Sequence, residues 1–274
     1  MPSLDDLSWN GTGRDKFMDE EDILKKAEGI LEKEPKLIEL PQRGKAVFVG
    51  DTHGDIYATK YIIETYLTGG HIIIFLGDYV DRGEYSRENI NYLIQLKVHN
   101  PETIYLLMGN HEGFLFKEFQ PADFWETLSH KERGTYGSTL GKLPYAVCSK
   151  NGVMGLHGAL PDVENLKDFG KIEIGDRYWD QIVWGDFTES RGNYLGNYLG
   201  RPQYGRDYFE RIMARFGKNV LIRSHQPFVE QSIFDKRCLT IFTSMAYARE
   251  RTVAIVDLEE KSISSVDDIV IKNL

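Results

Sequence analysis

The 274-residue sequence predicts an α/β protein built on a central β-sandwich of two mixed sheets flanked by helices. Three observations carry this prediction. Between residues 45 and 108, apolar runs of strand length alternate with segments of helical spacing, and such β-α-β-α-β order implies parallel strands with right-handed crossovers. From about residue 145 the runs shorten and several are joined by short turns, as in a second, mixed or antiparallel sheet stacked on the first. With 41% hydrophobic residues the chain can bury a real core, and no linker rich in Gly, Ser or Pro divides it.

Residues 1–18 are polar, contain glycine and read as a loosely held arm. Asp19 then precedes EEDILKKAEGILEKE, where Ile23, Ala27, Ile30 and Leu31 recur at helical spacing and acidic residues fill the first turn. Pro35 stops this helix. Arm and helix (1–40) are expected to pack on a single domain spanning 41–274. Strands are predicted at 45–50, 72–76 and 103–108, with helices near 57–67 and 86–98. The second sheet is expected from YAVCS (145–149), GVMGLH (152–157), VLIRS (220–224), QSIFD (231–235), CLTIFTS (238–244), RTVAIVDLE (251–259) and KSISSV (261–266). Residues 185–207 read as a loop with a duplicated NYLG, placed to line a substrate groove or to be a surface excursion.

A formal charge of −9 and the lack of a Lys/Arg-rich tract argue against a nucleic-acid surface. Cys148 and Cys238 lie in separate apolar stretches and read as buried thiols in a reducing compartment. The amino terminus lacks the basic and apolar regions of a signal peptide, and no apolar run approaches the length of a membrane span. A soluble, cytoplasmic protein is expected, without membrane partners.

The chemistry gathers where apolar runs stop. KAVFVGDTHGD (45–55), HIIIFLGDYVDRGE (71–84), TIYLLMGNHEG (103–113), GVMGLHG (152–158) and NVLIRSHQ (219–226) each end in ligand or acid-base side chains, and strand ends converge at one rim of a sheet. That rim collects Asp51, His53, Asp78, Asp81, Arg82, Asn110, His111, His157, Arg223 and His225. Oxygen and imidazole donors without sulfur suit Mn, Fe or Zn. Six ligands exceed one tetrahedral ion, and a bridging carboxylate would let them hold two ions about 3.5–4 Å apart. His71, His99 and His130 lie outside these run ends and read as ordinary helix or loop residues.

Taken in order, GDTHG (50–54), GDYVDRG (77–83), GNHE (109–112), HG (157–158) and RSH (223–225) resemble the motifs of the PPP family of metal-dependent serine/threonine protein phosphatases. A helical segment ending in EPKLIEL also resembles that family's N-terminal region, and the likeness runs over about residues 20–257. It implies the same sandwich, in the four-layer form of metallophosphoesterases. It implies two divalent metal ions, one held by Asp51, His53 and Asp78, the other by Asp78, Asn110, His157 and His225. Hydroxide shared by the ions would attack the phosphorus of phosphoserine or phosphothreonine in a phosphoprotein substrate. His111 would be the general acid, paired with Asp81. Arg82, Asn110 and Tyr247 would contact the phosphate with a second arginine, best matched by Arg201, with Arg191 and Arg206 as alternatives. Arg223 would support His225.

The resemblance is broken in three places. His157-Gly158-Ala159 stands where the family has a second glycine, Thr243-Ser244-Met245-Ala246-Tyr247 replaces Ser-Ala-Pro-Asn-Tyr, and Trp184-Gly185-Asp186-Phe187 replaces Trp-Ser-Asp-Pro. Two other readings stay open on sequence: a dinucleoside tetraphosphate hydrolase or related phosphoesterase, which shares the first three motifs, and a catalytically dead scaffold that binds phosphoproteins.

Overall fold

The computed structural model describes residues 19–247 and 249–274, so the arm expected over 1–18 lies outside the described residues. Helix α1 (Glu20–Leu31) begins at Asp19, whose carboxylate accepts the Asp22 N–H at 2.8 Å. Its buried Ile23, Leu24, Ala27 and Leu31 belong to the core cluster shared with α3 (Ser86–His99) and α5 (His130–Leu140), the helices it packs on. Past Pro35 the chain extends into β1 (Leu37–Glu39), which pairs in parallel with β5 (Ala146–Cys148). The helix stops before Pro35, as expected, and within EPKLIEL, which the resemblance placed at the end of a helical segment, Leu37–Glu39 is a strand that finds its hydrogen bonds across the sheet.

The first sheet has the order β14-β13-β2-β3-β4. β2 (Lys45–Val49), β3 (Ile72–Phe75) and β4 (Ile104–Leu106) run parallel, joined by α2 (Ile56–Tyr66) and α3. β13 (Thr252–Asp257) lies antiparallel to β2, and β14 (Val270–Asn273) flanks it. RTVAIVDLE was expected in the second sheet and instead completes the first. KSISSV forms no strand; Ser264 and Ser265 bind the Asp268 carboxylate, and this local bonding sets a 3-10 turn at Val266–Asp268 before β14.

The second sheet is β1-β5-β6-β10-β12-β11, with β6 (Val153–Leu156), β10 (Val220–Arg223), β12 (Cys238–Thr240) and β11 (Ser232–Ile233). Alternation along the strands sorts the side chains into two cores. Ala46, Phe48, Ile74, Val147, Val220, Ile222 and Leu239 fill the space between the sheets. Val47, Val49, Ile73, Phe75, Met154, Leu156 and Leu221 point the other way, into the cluster that includes residues of α1, α3, α6 (Arg177–Trp184) and α7 (Arg206–Phe216). The expected sandwich flanked by helices is what the chain forms.

Residues 185–207 hold more order than a loop. β7 (Asp186–Phe187), β8 (Tyr194–Tyr198) and β9 (Arg201–Tyr204) form a small sheet in the order β7-β9-β8, with β8 and β9 antiparallel across a turn at Leu199 and Gly200. The second NYLG supplies that turn, with Gly200 at φ 82.

The two large sheets close on each other at the predicted rim. Asp51 bridges to Phe242 in parallel fashion, and the Gly50 N–H donates to Thr243 Oγ1 at 2.9 Å. A Cβ on Gly50 would stand 2.3 Å from the Ile241 carbonyl oxygen and 2.9 Å from the Phe242 Cα, both backbone atoms. Gly50→Ala is therefore expected to cost about 1–3 kcal/mol as an overpacked site and to lower Tm by roughly 2–4 °C per kcal/mol. Calorimetry checks this, and an unchanged Tm would mean that the sheets part without cost.

Candidate active site

The rim residues sit on turns that ordinary side chains avoid. His53, Asp78, Asp81, Arg82 and His225 all have positive φ, between 39° and 68°. Left-handed backbone at five of the predicted site positions persists only where surrounding bonds over-determine it. The Thr52 and His53 N–H groups donate to the Asp78 carbonyl at 3.1 and 2.9 Å, and the Gly54 N–H donates to that of Tyr79 at 2.9 Å. Gly83 must be glycine where these loops cross, because a Cβ there would meet the His53 carbonyl oxygen at 1.9 Å.

Glu112 explains the rest of the clamp, a role that its place in the sequence does not suggest. Its fully buried carboxylate accepts the N–H groups of Asp78 and Gly109 on one oxygen at 2.9 and 3.0 Å, and that of Tyr79 on the other at 2.9 Å. Burial pushes this carboxyl up to about 7, with the Asp78 charge adding to the effect. The available signal was a carboxylate directly after His111 in a stretch whose turns leave several N–H groups to be satisfied.

Donor atoms converge on Asp78 from two sides. The His53 Nδ1–H donates to the Val80 carbonyl at 2.9 Å, which leaves Nε2 as the lone pair; Nε2 lies 3.7 Å from Asp51 Oδ2 and 3.8 Å from Asp78 Oδ2. On the other side the His157 Nδ1–H donates to the Leu76 carbonyl at 3.1 Å. Its Nε2 then faces Asp78 Oδ2 at 3.3 Å, Asn110 Oδ1 at 3.2 Å and His225 Nδ1 at 3.1 Å. The structure thus brings together all six residues predicted as ligands. His111 Nε2 lies 3.8 Å from Asp78 Oδ2, and His111 falls into one compact ligand cluster with His53 and Asp78, as His157 and His225 do into the other.

These donors fit two cations. Acceptor atoms crowd within 3.3 Å of the His157 Nε2, an arrangement that neutral imidazoles, an amide oxygen and a carboxylate tolerate around a shared positive charge. Asp51 Oδ2 is buried without a hydrogen-bond partner among the described residues, while its Oδ1 meets the Ser224 hydroxyl at 2.5 Å. Burial, then the Asp78 charge, pushes the Asp51 carboxyl up to about 6; burial pushes the His53 imidazole down to about 3 and that of His225 well below its usual value. A divalent cation favours both the ionised carboxylate and the neutral imidazole. The His/Asp groups are compatible with a dinuclear site.

Beside this centre, the His111 Nδ1–H donates to Asp81 Oδ2 at 2.6 Å, and Asp81 Oδ1 accepts the Phe124 N–H at 2.7 Å. Trp125 Nε1–H donates to the His111 carbonyl at 2.9 Å, so the short helix α4 (Asp123–Thr127) holds both partners. Burial alone would lower the His111 imidazole, but the carboxylates of Asp78 and Asp81 outweigh it and hold His111 above the usual range.

Arg82 is exposed, and among the described residues its guanidinium has no ion-pair partner. Arg201 makes a two-point ion pair with Asp186 at 2.9 and 2.7 Å and donates to the His225 carbonyl at 3.1 Å. Arg206 is engaged elsewhere, with Asp235 at 2.6 Å and Glu189 at 3.2 Å. Tyr247 Oη lies 3.4 Å from His53 Nε2, with its ring edge-on to the imidazole. Arg223 is buried, bonded to Gln226 at 2.7 Å and to the Gly185 carbonyl at 3.3 Å, and so braces the segment carrying His225. Cys148 and Cys238 are free and buried. No described helix is long and apolar enough to cross a membrane.

Known proteins resemble this chain in sequence and in fold. A probable serine/threonine-protein phosphatase of Encephalitozoon cuniculi is 27% identical over 267 residues, covering 91% of this chain and 58% of its own length. The chain thus spans less than two thirds of that relative. A protein phosphatase 2A catalytic polypeptide of Dictyostelium discoideum is 27% identical over 262 residues, covering 88% of this chain and 81% of that one. Among solved structures, a Saccharomyces cerevisiae protein serine/threonine phosphatase with similarity to human PP5 superposes with a TM-score of 0.78 at 23% identity, covering 93% of this chain and 88% of that one, which supports the fold. The calcineurin-like phosphoesterase family profile matches residues 44–228, a span that begins just before β2 and contains all six ligand residues. By that match over well over half its length, this chain belongs to the calcineurin-like phosphoesterase family.

Proposed function

We propose that the chain is a metal-dependent phosphoprotein phosphatase acting on phosphoserine and phosphothreonine. The observation that carries this reading is the meeting of two donor sets on Asp78, with the His111–Asp81 pair directly beside them. Two divalent cations bound there would supply an acidified water and positive charge against the phosphoryl oxygens. Asp51, His53 and Asp78 would hold one ion, and Asp78, Asn110, His157 and His225 the other. Manganese is the first ion to test, with iron and zinc as alternatives.

The remaining steps belong to the chain's own groups. His111 Nε2 faces the centre while Nδ1–H is fixed on Asp81, so the proton for the leaving alkoxide would come from Nε2. Arg82 offers a planar fork for two phosphate oxygens, and with no ion-pair partner among the described residues both arms are available. Arg201, tied to Asp186 and to the His225 carbonyl, would add charge from the side of the second ion, and Asn110 and Tyr247 would complete the phosphate contacts.

The test is initial rates with Mn²⁺ and after chelation, on matched phosphothreonine and phosphotyrosine peptides and on diadenosine tetraphosphate. Turnover abolished by chelation, restored by Mn²⁺ and greatest on phosphothreonine is the expected result. Preference for the dinucleotide would replace the substrate class while leaving the metal centre intact. Two bound ions without turnover on any phosphoester would make the chain a binding scaffold.

A further inference from the structure

The β8–β9 hairpin carries the duplicated NYLG, and the proposed chemistry uses only Arg201 of it. At its tip Leu199 is 83% exposed and Tyr198 is 67% exposed. Leu199 also has φ 51, left-handed backbone that a branched apolar side chain rarely takes. A strained turn therefore holds an apolar side chain out in solvent, where it gains no burial. Outliers of this kind concentrate where a ligand is gripped.

Two anchors tie the tip to the metal centre. The Gly200 carbonyl accepts from Lys117 Nζ at 3.1 Å, and the same ammonium bonds Asp180 at 2.5 Å and stands 4.7 Å over the Trp184 ring. Trp184 in turn meets the His225 imidazole edge-on, with centroids 6.2 Å apart. Arg201, the next residue, reaches the His225 carbonyl. Both connections end on a residue of the second donor set, so the exposed tip is continuous with the site where a phosphoryl group would sit.

We propose that Tyr198 and Leu199 form a platform that selects phosphopeptide substrates, binding a bulky apolar side chain that flanks the phosphorylated one along an extended chain. This rests on the phosphoprotein phosphatase reading above. A peptide, and not a second copy of the chain, is the occupant because the platform is joined through Arg201 and Lys117 to the reacting centre.

The experiment uses paired phosphothreonine peptides that differ only in carrying leucine or serine at the flanking positions, with p-nitrophenyl phosphate as a substrate too small to reach the hairpin. The expected result is a preference for the leucine peptide of about fivefold or more in kcat/KM, the scale of one partly buried apolar side chain. Leu199→Asn keeps a residue tolerant of left-handed backbone. It and Tyr198→Ser are each expected to lose this preference through KM, with kcat retained and p-nitrophenyl phosphate hydrolysis unchanged. Equal rates on the two peptides, a preference that survives both substitutions, or a dimer that Leu199→Asn dissociates would each overturn the platform while leaving the phosphatase reading standing. Hydrolysis of p-nitrophenyl phosphate with no phosphopeptide hydrolysed would overturn both.

Discussion

Replacing His111 by asparagine is expected to lower kcat on a phosphothreonine peptide by about 10²–10⁴-fold, the usual worth of a positioned general acid. KM should stay within about threefold, because the proton is needed only as the ester bond breaks. What matters is which nitrogen is free. Asp81 accepts the Nδ1–H at 2.6 Å and is itself locked by the Phe124 N–H, so the imidazole cannot turn that edge toward substrate. Nε2 is left facing the centre, 3.8 Å from Asp78 Oδ2. Asparagine can keep a hydrogen bond to Asp81, which preserves the turn, but it carries no titratable proton. The leaving group separates this role from its rival. His111 also falls within the ligand cluster of His53 and Asp78, and a metal-holding role would reduce hydrolysis of every ester alike. A proton donor matters most for a poor leaving group such as an alkoxide. The loss should therefore be much smaller on p-nitrophenyl phosphate, and equal losses on the two substrates would reassign His111 to metal or phosphate binding.

Much of this site was legible in sequence because its chemistry lies at the ends of unmistakable strands. VFVGD, IFLGD and LLMGN each announce a buried strand and stop at the residue that matters. The parallel order of β2, β3 and β4 followed from the helices between them. What escaped was set by distant pairing or by the backbone. β1 is three residues long and its partner lies across the sheet at Ala146–Cys148, so although Pro35 ends the helix before it, nothing local marks it as a strand. RTVAIVDLE reads correctly as a strand, but its place beside β2 depends on which sheet edge is open. β8 shows no buried face, and Gly196 within it and Gly200 in the turn hid a hairpin inside what reads as a loop. Helix α5 has no apolar stripe, although Ser129 and Glu132 form a capping box that marks its start. Glu112 was missed for a related reason: its partners are backbone N–H groups, and side-chain chemistry alone does not reveal that they need one.

Asp78→Asn should disable the proposed metal centre more completely than loss of any other proposed ligand, because both donor sets face one oxygen. Asp78 Oδ1 is already occupied by the His111 N–H at 3.0 Å. Oδ2 is the atom that faces His157 Nε2 at 3.3 Å and the Nε2 atoms of His53 and His111 at 3.8 Å. An asparagine seated to keep the His111 bond would put its NH₂ group at the Oδ2 position, turning a shared acceptor into a donor aimed at the lone pairs that should hold cations. An outer partner of a metal ligand is worth about 10–100-fold in affinity. A ligand common to both ions should exceed that at each, so titration calorimetry with Mn²⁺ is expected to show both sites weakened at least about 100-fold, with turnover lost in parallel. The fold should survive. Glu112 grips the Asp78 N–H and not its side chain, so the left-handed turn keeps its clamp. Removing the Asp78 charge relieves part of the pressure that, after burial, pushes the Asp51 carboxyl up to about 6, but it also takes away the partner of the His157, His111 and His53 imidazoles, which hold Asp78 well below the usual carboxylate range despite its burial. The metal-free variant is thus expected to fold, with a Tm below that of the metal-free parent. Retention of two tightly bound ions by Asp78→Asn would mean that the two donor sets do not share this carboxylate, and that Asp51 or His111 closes one of them instead.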